Sequence, residues 1–229
     1  MKAETLARLC ADRQAKRAVA LVTNLKSGDQ EFVYPSDNEA NSEIVKAAIE
    51  ALDDDRSRTV ESDAGKHFIH VHNPPLRLIV VGAVHIAQPL ARMAALAGYA
   101  VTVVDPRRAF AADERFGAIA VSRDWPDEAL TALDIDARTA VVTLTHDPKL
   151  DDPALTVALR SAAFYIGSLG SRRTHGKRHD RLMELGISEA EFARIHGPIG
   201  LDIGALSPAE IAVSIMAEIT QVRRRGSIQ

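Results

Sequence analysis

The feature that most constrains the fold is the regular alternation of short aliphatic runs and helical segments in residues 76–229. Runs at 76–81, 100–104 and 139–144 have the composition of buried strands, and the segments between them carry apolar residues at helical spacing. Shorter runs at 118–121 and 163–166 extend the pattern. Repeated strand–helix units join parallel strands through right-handed crossovers. The pattern therefore predicts an α/β fold, a Rossmann-like doubly wound parallel sheet.

Residues 1–75 lack this alternation and predict a smaller N-terminal α+β domain. The predicted helices span residues 2–13 and 39–52, and the strand candidates are 18–22, 31–34, 58–60 and 67–72. The step Asn73-Pro74-Pro75 lacks two backbone donors and favours an extended path, which suits a linker. We therefore expect two domains, residues 1–75 and residues 76–229.

Charge and cysteine content exclude several classes of protein. The 28 basic and 31 acidic residues leave a formal net charge of -3, which does not favour a binder of nucleic acid or of membrane surfaces. No apolar run approaches the roughly 20 residues of a membrane span, so we expect a cytoplasmic protein. The chain has a single cysteine, Cys10, which excludes an internal disulfide. Cys10 is predicted to be a small buried residue of the first helix. His67, His70 and His72 lack clear further ligands for a metal and are predicted to be surface residues.

The turn after the strand at 76–81 has part of a dinucleotide-binding fingerprint. Gly82 occupies the first glycine position, but Val84 and Ala87 occupy the second and third. The branched Val84 stands where a glycine would let the backbone approach a pyrophosphate. Asp105 ends the next strand, where an acid would bind a ribose hydroxyl. Two interpretations of this turn are equally open: it has only a structural role in a Rossmann fold, or it binds a nucleotide-like ligand.

A histidine and two acids follow the fourth strand of this domain. Ligands of open α/β sheets bind beyond the carboxyl ends of the strands, so His146 is aimed at the expected crevice. It could serve as a hydrogen-bond donor, a base or a metal ligand. Asp151 and Asp152 precede a predicted helix at about 153–161 and are predicted to cap it.

A glycine-rich turn leads from the fifth strand into a basic helix. Its flexible backbone, a capping serine and two arginines predict an anion site at the start of the helix. The residues of this site are Gly167, Ser168, Gly170, Ser171, Arg172 and Arg173. Lys177 and Arg181 further along the helix are predicted to be solvated.

The last loop, residues 197–205, holds three glycines and a proline and predicts a tight, partly buried turn. Asp202 lies in apolar surroundings, where it either accepts backbone amides or meets a ligand. Ser207 and Glu210 have the spacing of a capping box and begin the last predicted helix.

Taken in order, these segments resemble the C-terminal Rossmann domain of the XdhC/CoxI family. The resemblance covers nearly all of residues 76–229, and its specific parts are the segments 165–173, 198–205 and 207–219. It implies a maturation factor for molybdenum hydroxylases such as xanthine dehydrogenase or carbon monoxide dehydrogenase. Members bind the molybdenum cofactor (molybdopterin), protect it during sulfuration with a cysteine desulfurase, and help insert it into the apoenzyme. The resemblance thus implies a chaperone, not an enzyme, and a homodimer is plausible for the family.

The resemblance also implies a set of cofactor-binding residues and no catalytic ones. The cofactor phosphate would meet Arg172 and the backbone amides of 167–171, and polar side chains at strand ends would meet the pterin or oxo groups. The full set is Gly82, His85, Asp105, His146, Gly167, Ser168, Gly170, Ser171, Arg172, Arg173, Gly200, Asp202 and Gly204. Two departures stand out: the family usually has glycine at Val84, and residues 1–75 lack its Ser-Gly-Gly-Cys-Val-Glu type motif.

Two other functions fit the residues. An NAD(P)-dependent oxidoreductase would use Asp105 to hold the ribose, although Val84 opposes it. A paralogue that has lost its ligand would act through protein contacts alone.

Overall fold

The computed structural model describes residues 2–37, 42–63, 65–107 and 115–225. The chain divides into two compact units, residues 1–74 and residues 75–229. The first is α+β and the second is α/β.

The first unit is a four-stranded antiparallel sheet with strand order β2-β1-β4-β3. Its elements are α1 (Ala3–Gln14), β1 (Val19–Asn24), β2 (Gln30–Val33), a 3-10 turn (Pro35–Asp37), α2 (Glu43–Asp53), β3 (Arg58–Ser62) and β4 (Gly65–His72). The apolar face of α2, with Ala48 and Leu52, packs against Ala20, Val22 and Ile69 of the sheet. The first residues of the helix predicted from residue 39, up to residue 41, lie outside the described residues.

Two side-chain predictions for this unit are wrong. Cys10 is exposed, because the buried positions of α1 are Leu9 and Asp12. His67 is buried, with Nε2 3.1 Å from the Asn24 side-chain nitrogen and Nδ1 3.0 Å from the Gly65 carbonyl oxygen. In the described part of the chain, no group of three or more His, Cys, Asp or Glu side chains is arranged to hold a metal ion.

The second unit is a six-stranded sheet in which all neighbouring strands are parallel. Its strands are β5 (Arg77–Val81), β6 (Ala100–Val104), β7 (Ala120–Ser122), β8 (Thr139–Thr143), β9 (Tyr165–Ser168) and β10 (Ile195–His196). Its helices are α3 (Ala87–Leu96), α4 (Pro126–Ala132), α5 (Pro148–Leu159), α6 (Arg172–Glu184), α7 (Glu189–Phe192) and α8 (Pro208–Arg225). The order β7-β6-β5-β8-β9-β10 is the 3-2-1-4-5-6 order of Rossmann sheets, so the predicted fold class is confirmed.

Both faces of this sheet are covered, which is why its strands are continuously apolar. Leu78 and Val80 of β5 point into a core with α3 and α8, whereas Ile79 and Val81 point into a core with α4 and α5. The strand order reverses between β5 and β8. At such a point the connecting chains leave in opposite directions, and a crevice opens beyond the carboxyl ends of the strands.

Helix α5 begins earlier than its sequence pattern predicts. Asp147 is its N-cap and accepts a hydrogen bond from the Lys149 amide at 3.0 Å, with Pro148 in the first turn. Asp151 and Asp152 therefore lie inside the helix and are buried, so their predicted capping role is wrong. The misleading signal was Pro153, which α5 accommodates in its interior.

Other boundaries differ less. Helix α3 begins at Ala87, and the short elements α7 and β10 were not predicted. The capping box of α8 is present: the Glu210 amide donates to Ser207 Oγ, and the Glu210 carboxylate accepts from the Ser207 amide. None of the helices in the described ranges combines the length and apolarity that a membrane crossing requires.

Candidate functional site

The turn after β5 is in close contact with the segment that follows β8. Gly82 is buried with φ +104°, and a Cβ built there would lie 2.5 Å from Cγ2 of Thr145 and 3.2 Å from its amide nitrogen. Val84 is half-buried and packs against the core between the sheet and α3. The turn at the crevice is therefore shaped by a glycine that the fold itself requires.

We expect Gly82→Ala to lower the free energy of unfolding by about 2–3 kcal/mol, since it combines a left-handed backbone with overlap against Thr145. Gly98→Ala is the matched control, because Gly98 has φ +87° but open space around its Cα. That control should lose only about 1 kcal/mol. Urea denaturation followed by circular dichroism measures the stability of both variants. Equal losses of stability would contradict the importance of the close contact between Gly82 and Thr145.

Asp105, at the end of β6, is fully buried and binds the same turn. Its carboxylate accepts from the Ala83 amide at 2.8 Å and from the Arg107 amide at 3.0 Å. The Arg107 guanidinium adds two bonds, from Nε at 2.9 Å and from Nη2 at 2.7 Å. Burial alone would raise the pKa of Asp105, but these hydrogen bonds hold the pKa below its ordinary value.

This arrangement bears on nucleotide binding. A ribose hydroxyl needs a free carboxylate oxygen at the end of the second strand, and both oxygens of Asp105 already accept from protein donors. Binding a ribose there would require Arg107 to move away.

The turn between β9 and α6 places its residues at different depths. Ser168 is buried, with its hydroxyl 2.5 Å from that of Thr143, and Gly167 is packed against Ile199 and Tyr165. Ser171 caps α6, as predicted, because its Oγ accepts from the Thr174 amide at 3.2 Å. Arg172 and Arg173 then project from the first turn of α6 and line two different pockets.

Arg172 lines the first of these pockets, named here the α8 pocket, which has a volume of about 420 Å³. Its walls are Leu169, Arg172, the loop residues 198–205, and Ile211 and Ser214 of α8. Asp202 and Gly204 are exposed, so the loop is more open than its composition predicts. Gly200 has φ +93°, and an added Cβ would collide with Ser214 Oγ. Arg172 and Asp202, thirty residues apart in the sequence, thus line one pocket with opposite charges and apolar walls.

A half-buried carboxylate supports this loop from behind. Glu218 of α8 accepts from the Tyr165 hydroxyl at 2.5 Å and from the Gly200 amide at 2.7 Å, and it lies 3.2 Å from His196 Nδ1. The rings of Tyr165 and His196 stack with centroids 4.6 Å apart. Burial and the adjacent carboxylate raise the pKa of Tyr165, so the phenol stays a hydrogen-bond donor.

Arg173 lines the second pocket, named here the α5–α6 pocket, which has a volume of about 350 Å³. Its lining residues are His146, Pro148, Asp151, Arg173, Thr174, Lys177, Arg178 and Arg181. Arg181 is bound to Asp152, with Nε 2.5 Å and Nη2 3.0 Å from its carboxylate oxygens. The prediction that Arg181 is a solvated residue is therefore wrong, whereas Lys177 is exposed.

The predicted ligand residues therefore separate into groups. The α8 pocket contains Arg172, Gly200, Asp202 and Gly204, and the α5–α6 pocket contains His146 and Arg173. Gly170 and Ser171 lie in the turn that leads into α6, and His85 is exposed in the turn after β5. Gly82, Asp105, Gly167 and Ser168 are buried. Their roles in cofactor binding remain predictions.

Sequence reasoning missed Glu218 and the burial of Arg178. Arg178 is four residues from the fully buried Leu182, which puts both on one face of α6. Glu218 adjoins Ile219 and lies three residues from Ile215, along the buried stripe of α8. In both cases the sequence signal was a charged residue at a position where the helical pattern expects an apolar one.

Comparison with known families gives one match that spans most of the second unit. The model described as the XdhC Rossmann domain matches residues 78–219. This segment contains all of β5 except Arg77, the strands β6 to β10, every helix from α3 to α7, most of α8, and both pockets.

Two curated relatives share about a third of their aligned residues with the chain. The molybdenum cofactor insertion chaperone PaoD of Escherichia coli is 34% identical over 150 residues, which is 66% of this chain and 41% of the relative. A Bacillus subtilis protein whose name describes it as a probable xanthine dehydrogenase subunit is 35% identical over 162 residues, 70% of this chain and 47% of the relative. The chain spans less than half the length of the curated relatives it matches.

A solved structure has a similar fold over almost the whole chain. It is described as a xanthine dehydrogenase from Bacillus halodurans, and the two chains are 26% identical with a TM-score of 0.70. The match covers 97% of this chain and 65% of the other.

Proposed function

This chain belongs to the XdhC family, and from that premise we propose that it is a maturation factor that binds the molybdenum cofactor as cargo. It hands the cofactor to the apoenzyme of a molybdenum hydroxylase of the xanthine dehydrogenase or carbon monoxide dehydrogenase type. A cysteine desulfurase is the partner that sulfurates the bound cofactor, and the chaperone acts as a homodimer without a catalytic step of its own. The names of the relatives support the cargo and the recipient.

The observation that carries the proposal is the α8 pocket, where Arg172 and Asp202 line one cavity. Molybdopterin joins a phosphate to a flat pterin ring. An arginine can bind the phosphate through two parallel hydrogen bonds, and a carboxylate can accept from the pterin N–H groups. Apolar walls with a few convergent polar groups are typical of small-ligand sites. The donor set of the α8 pocket therefore fits the cofactor.

In this proposal the chain's own residues hold and orient the cargo. Arg172 holds the phosphate at the start of α6, and Asp202 orients the ring. Leu169, Leu201 and Ile203, which also line the pocket, cover the faces of the ring. Gly200 and Gly204 keep side chains out of the cavity, and Glu218 supports the loop that carries them. Gly167 packs against Ile199, which lines the pocket, whereas Gly82, Asp105 and Ser168 shape the strand ends of the sheet.

The test is cofactor content after gentle anaerobic purification from a molybdenum-replete host. Metal analysis and the fluorescence of the oxidised pterin should give near-stoichiometric cofactor for the unaltered protein. Arg172→Ala should reduce it more than about tenfold, because charged hydrogen bonds to the phosphate are lost.

Arg92→Ala is the matched control, since Arg92 is exposed on α3 and does not line the pocket. Its cofactor content should equal that of the unaltered protein. Absence of pterin from the unaltered protein, or equal retention by Arg172→Ala, would refute the proposed site.

A further inference from the structure

We propose that the α5–α6 pocket is a second binding site, which takes a phosphate group, either as inorganic phosphate or as a phosphate monoester. None of its lining residues is shared with the α8 pocket. The inference therefore goes beyond the proposed cofactor site and can fail or succeed independently of it.

The first observation is a buried arginine that forms no direct ion pair among the described residues. Arg178 is 1% exposed, and its Nε has no hydrogen-bond partner in that part of the chain. Its Nη2 donates to the Leu169 carbonyl at 2.9 Å, and its Nη1 lies 3.5 Å from His175 Nδ1, at the limit of a hydrogen bond. Neither contact brings a negative charge to the guanidinium. A buried cation in this condition favours the arrival of an anion.

The second observation is that the nearby acids are already bound elsewhere. Both carboxylate oxygens of Asp152 accept from Arg181. Asp151 accepts from the Thr145 hydroxyl at 2.7 Å, and its carboxylate attracts Arg178 without accepting a hydrogen bond from it. Neither acid forms an ion pair with Arg178 within the described ranges. The pocket is lined by four basic side chains, Arg173, Lys177, Arg178 and Arg181, against the two acids, so an excess of positive charge remains.

The third observation is how the cations are distributed over the pocket. The buried Arg178 lies at its base, and the exposed Arg173 and Lys177 stand on the same side of α6 at its mouth. His146 lines the pocket from the loop before α5. Arginine binds phosphate as a planar fork and lysine as a point charge. Several cations around one small cavity suit a phosphate dianion better than a carboxylate monoanion. A volume of about 350 Å³ leaves room for the organic part of an ester.

The experiment is isothermal titration calorimetry of the full chain with inorganic phosphate, at ionic strength held constant with chloride. Glycerol phosphate is the monoester arm and acetate the monoanion arm. We expect both phosphate compounds to bind and acetate not to bind. Lys177→Gln and Arg173→Gln should each weaken phosphate binding about tenfold or more, as loss of a charged hydrogen bond does.

The controls separate this site from general charge effects and from misfolding. Arg160→Gln removes one positive charge at the exposed end of α5 and should bind phosphate like the unaltered protein. Arg178→Met should abolish binding, with circular dichroism to check its fold, and the exposed Lys177 and Arg173 provide the test if that variant does not fold. No binding of phosphate, equal binding of acetate, or unchanged affinity in Lys177→Gln and Arg173→Gln would overturn the proposal.

Cofactor content of Lys177→Gln then identifies the source of the phosphate group. Loss of phosphate binding with normal cofactor content indicates a separate phosphorylated metabolite. Loss of both phosphate binding and cofactor indicates that the phosphate group belongs to the cofactor, and this result also supports an anion site in the α5–α6 pocket. If Arg172→Ala retains its cofactor but Lys177→Gln loses phosphate binding, the proposal that the α8 pocket binds the cofactor is refuted, while the phosphate site in the α5–α6 pocket is supported.

Discussion

Replacing Glu218 by alanine should lower the free energy of unfolding of the second unit by about 4 kcal/mol. The substitution removes the acceptor for the Tyr165 hydroxyl and the Gly200 amide, and the contact to His196. Tyr165 is 1% exposed, so its hydroxyl would remain buried without a partner. Hydrogen bonds to a charged group contribute more than neutral ones, and an orphaned buried donor adds its desolvation penalty.

Urea denaturation followed by tyrosine fluorescence and circular dichroism measures this loss. Glu184→Ala is the matched control, since Glu184 is exposed on α6 and should change stability by less than about 0.5 kcal/mol. The Glu218→Ala variant should also retain less cofactor, because Gly200 lines the α8 pocket. A loss of stability below about 1 kcal/mol would contradict the network as described.

The same network predicts a pH dependence. Burial alone would raise the pKa of Glu218, but hydrogen bonds from His196, Tyr165 and the Gly200 amide bring the pKa below its ordinary value. A carboxyl whose pKa is lower in the folded state stabilises the fold above its unfolded pKa, and this stabilisation is lost as the pH falls through the folded value. Stability of the unaltered protein should thus fall below about pH 4 more steeply than that of Glu218→Ala.

Replacing Asp105 by alanine should cost about 3 kcal/mol of stability, the lower end of the range found when one partner of a buried ion pair is removed, because the Arg107 side chain is 34% exposed. The Ala83 amide would lose its acceptor, and the Arg107 guanidinium would lose the carboxylate that it binds through two hydrogen bonds. Asp127→Ala is a suitable control, since Asp127 is an exposed acid in the first turn of α4. Its effect should stay below about 1 kcal/mol.

This variant also separates a structural role of Asp105 from direct contact with a ligand. We expect the double variant Asp105→Ala, Arg107→Ala to lose less than the sum of the single variants, because the two residues act on each other. Cofactor content normalised to folded protein should change little. A stable Asp105→Ala protein that lacks cofactor would instead support the ligand contact that the sequence predicts.

The elements of the second unit were predictable because their signals are local. Each β strand is a short aliphatic run buried on both faces, and a serine, a glycine or a proline marks most helix ends. The errors arose where two local signals competed. In α5, Asp147 and Pro148 start the helix, but Pro153 suggested a later start.

The sites were less predictable because their contacts join distant residues. Tyr165 and Glu218 are 53 positions apart, and Asp105 binds an amide 22 positions before it. The sequence indicated polar residues at strand ends, and it did not indicate that Arg172 and its neighbour Arg173 line different pockets.

The amino-acid sequence by itself determined the parallel sheet, its helices, the capping of α6 and α8, and the family to which the segments belong. Hydrophobic periodicity and capping act over a few residues, and so they can be seen without coordinates. Only the tertiary structure decided which charges are fully or partly buried and what they bind: the buried Asp105 on the Gly82 turn, the half-buried Glu218 behind the last loop, and the buried Arg178 beneath the α5–α6 pocket. The burial of a charged side chain and its hydrogen-bond partners depend on the packing of elements that are far apart in the chain, so they are set only when the layers assemble.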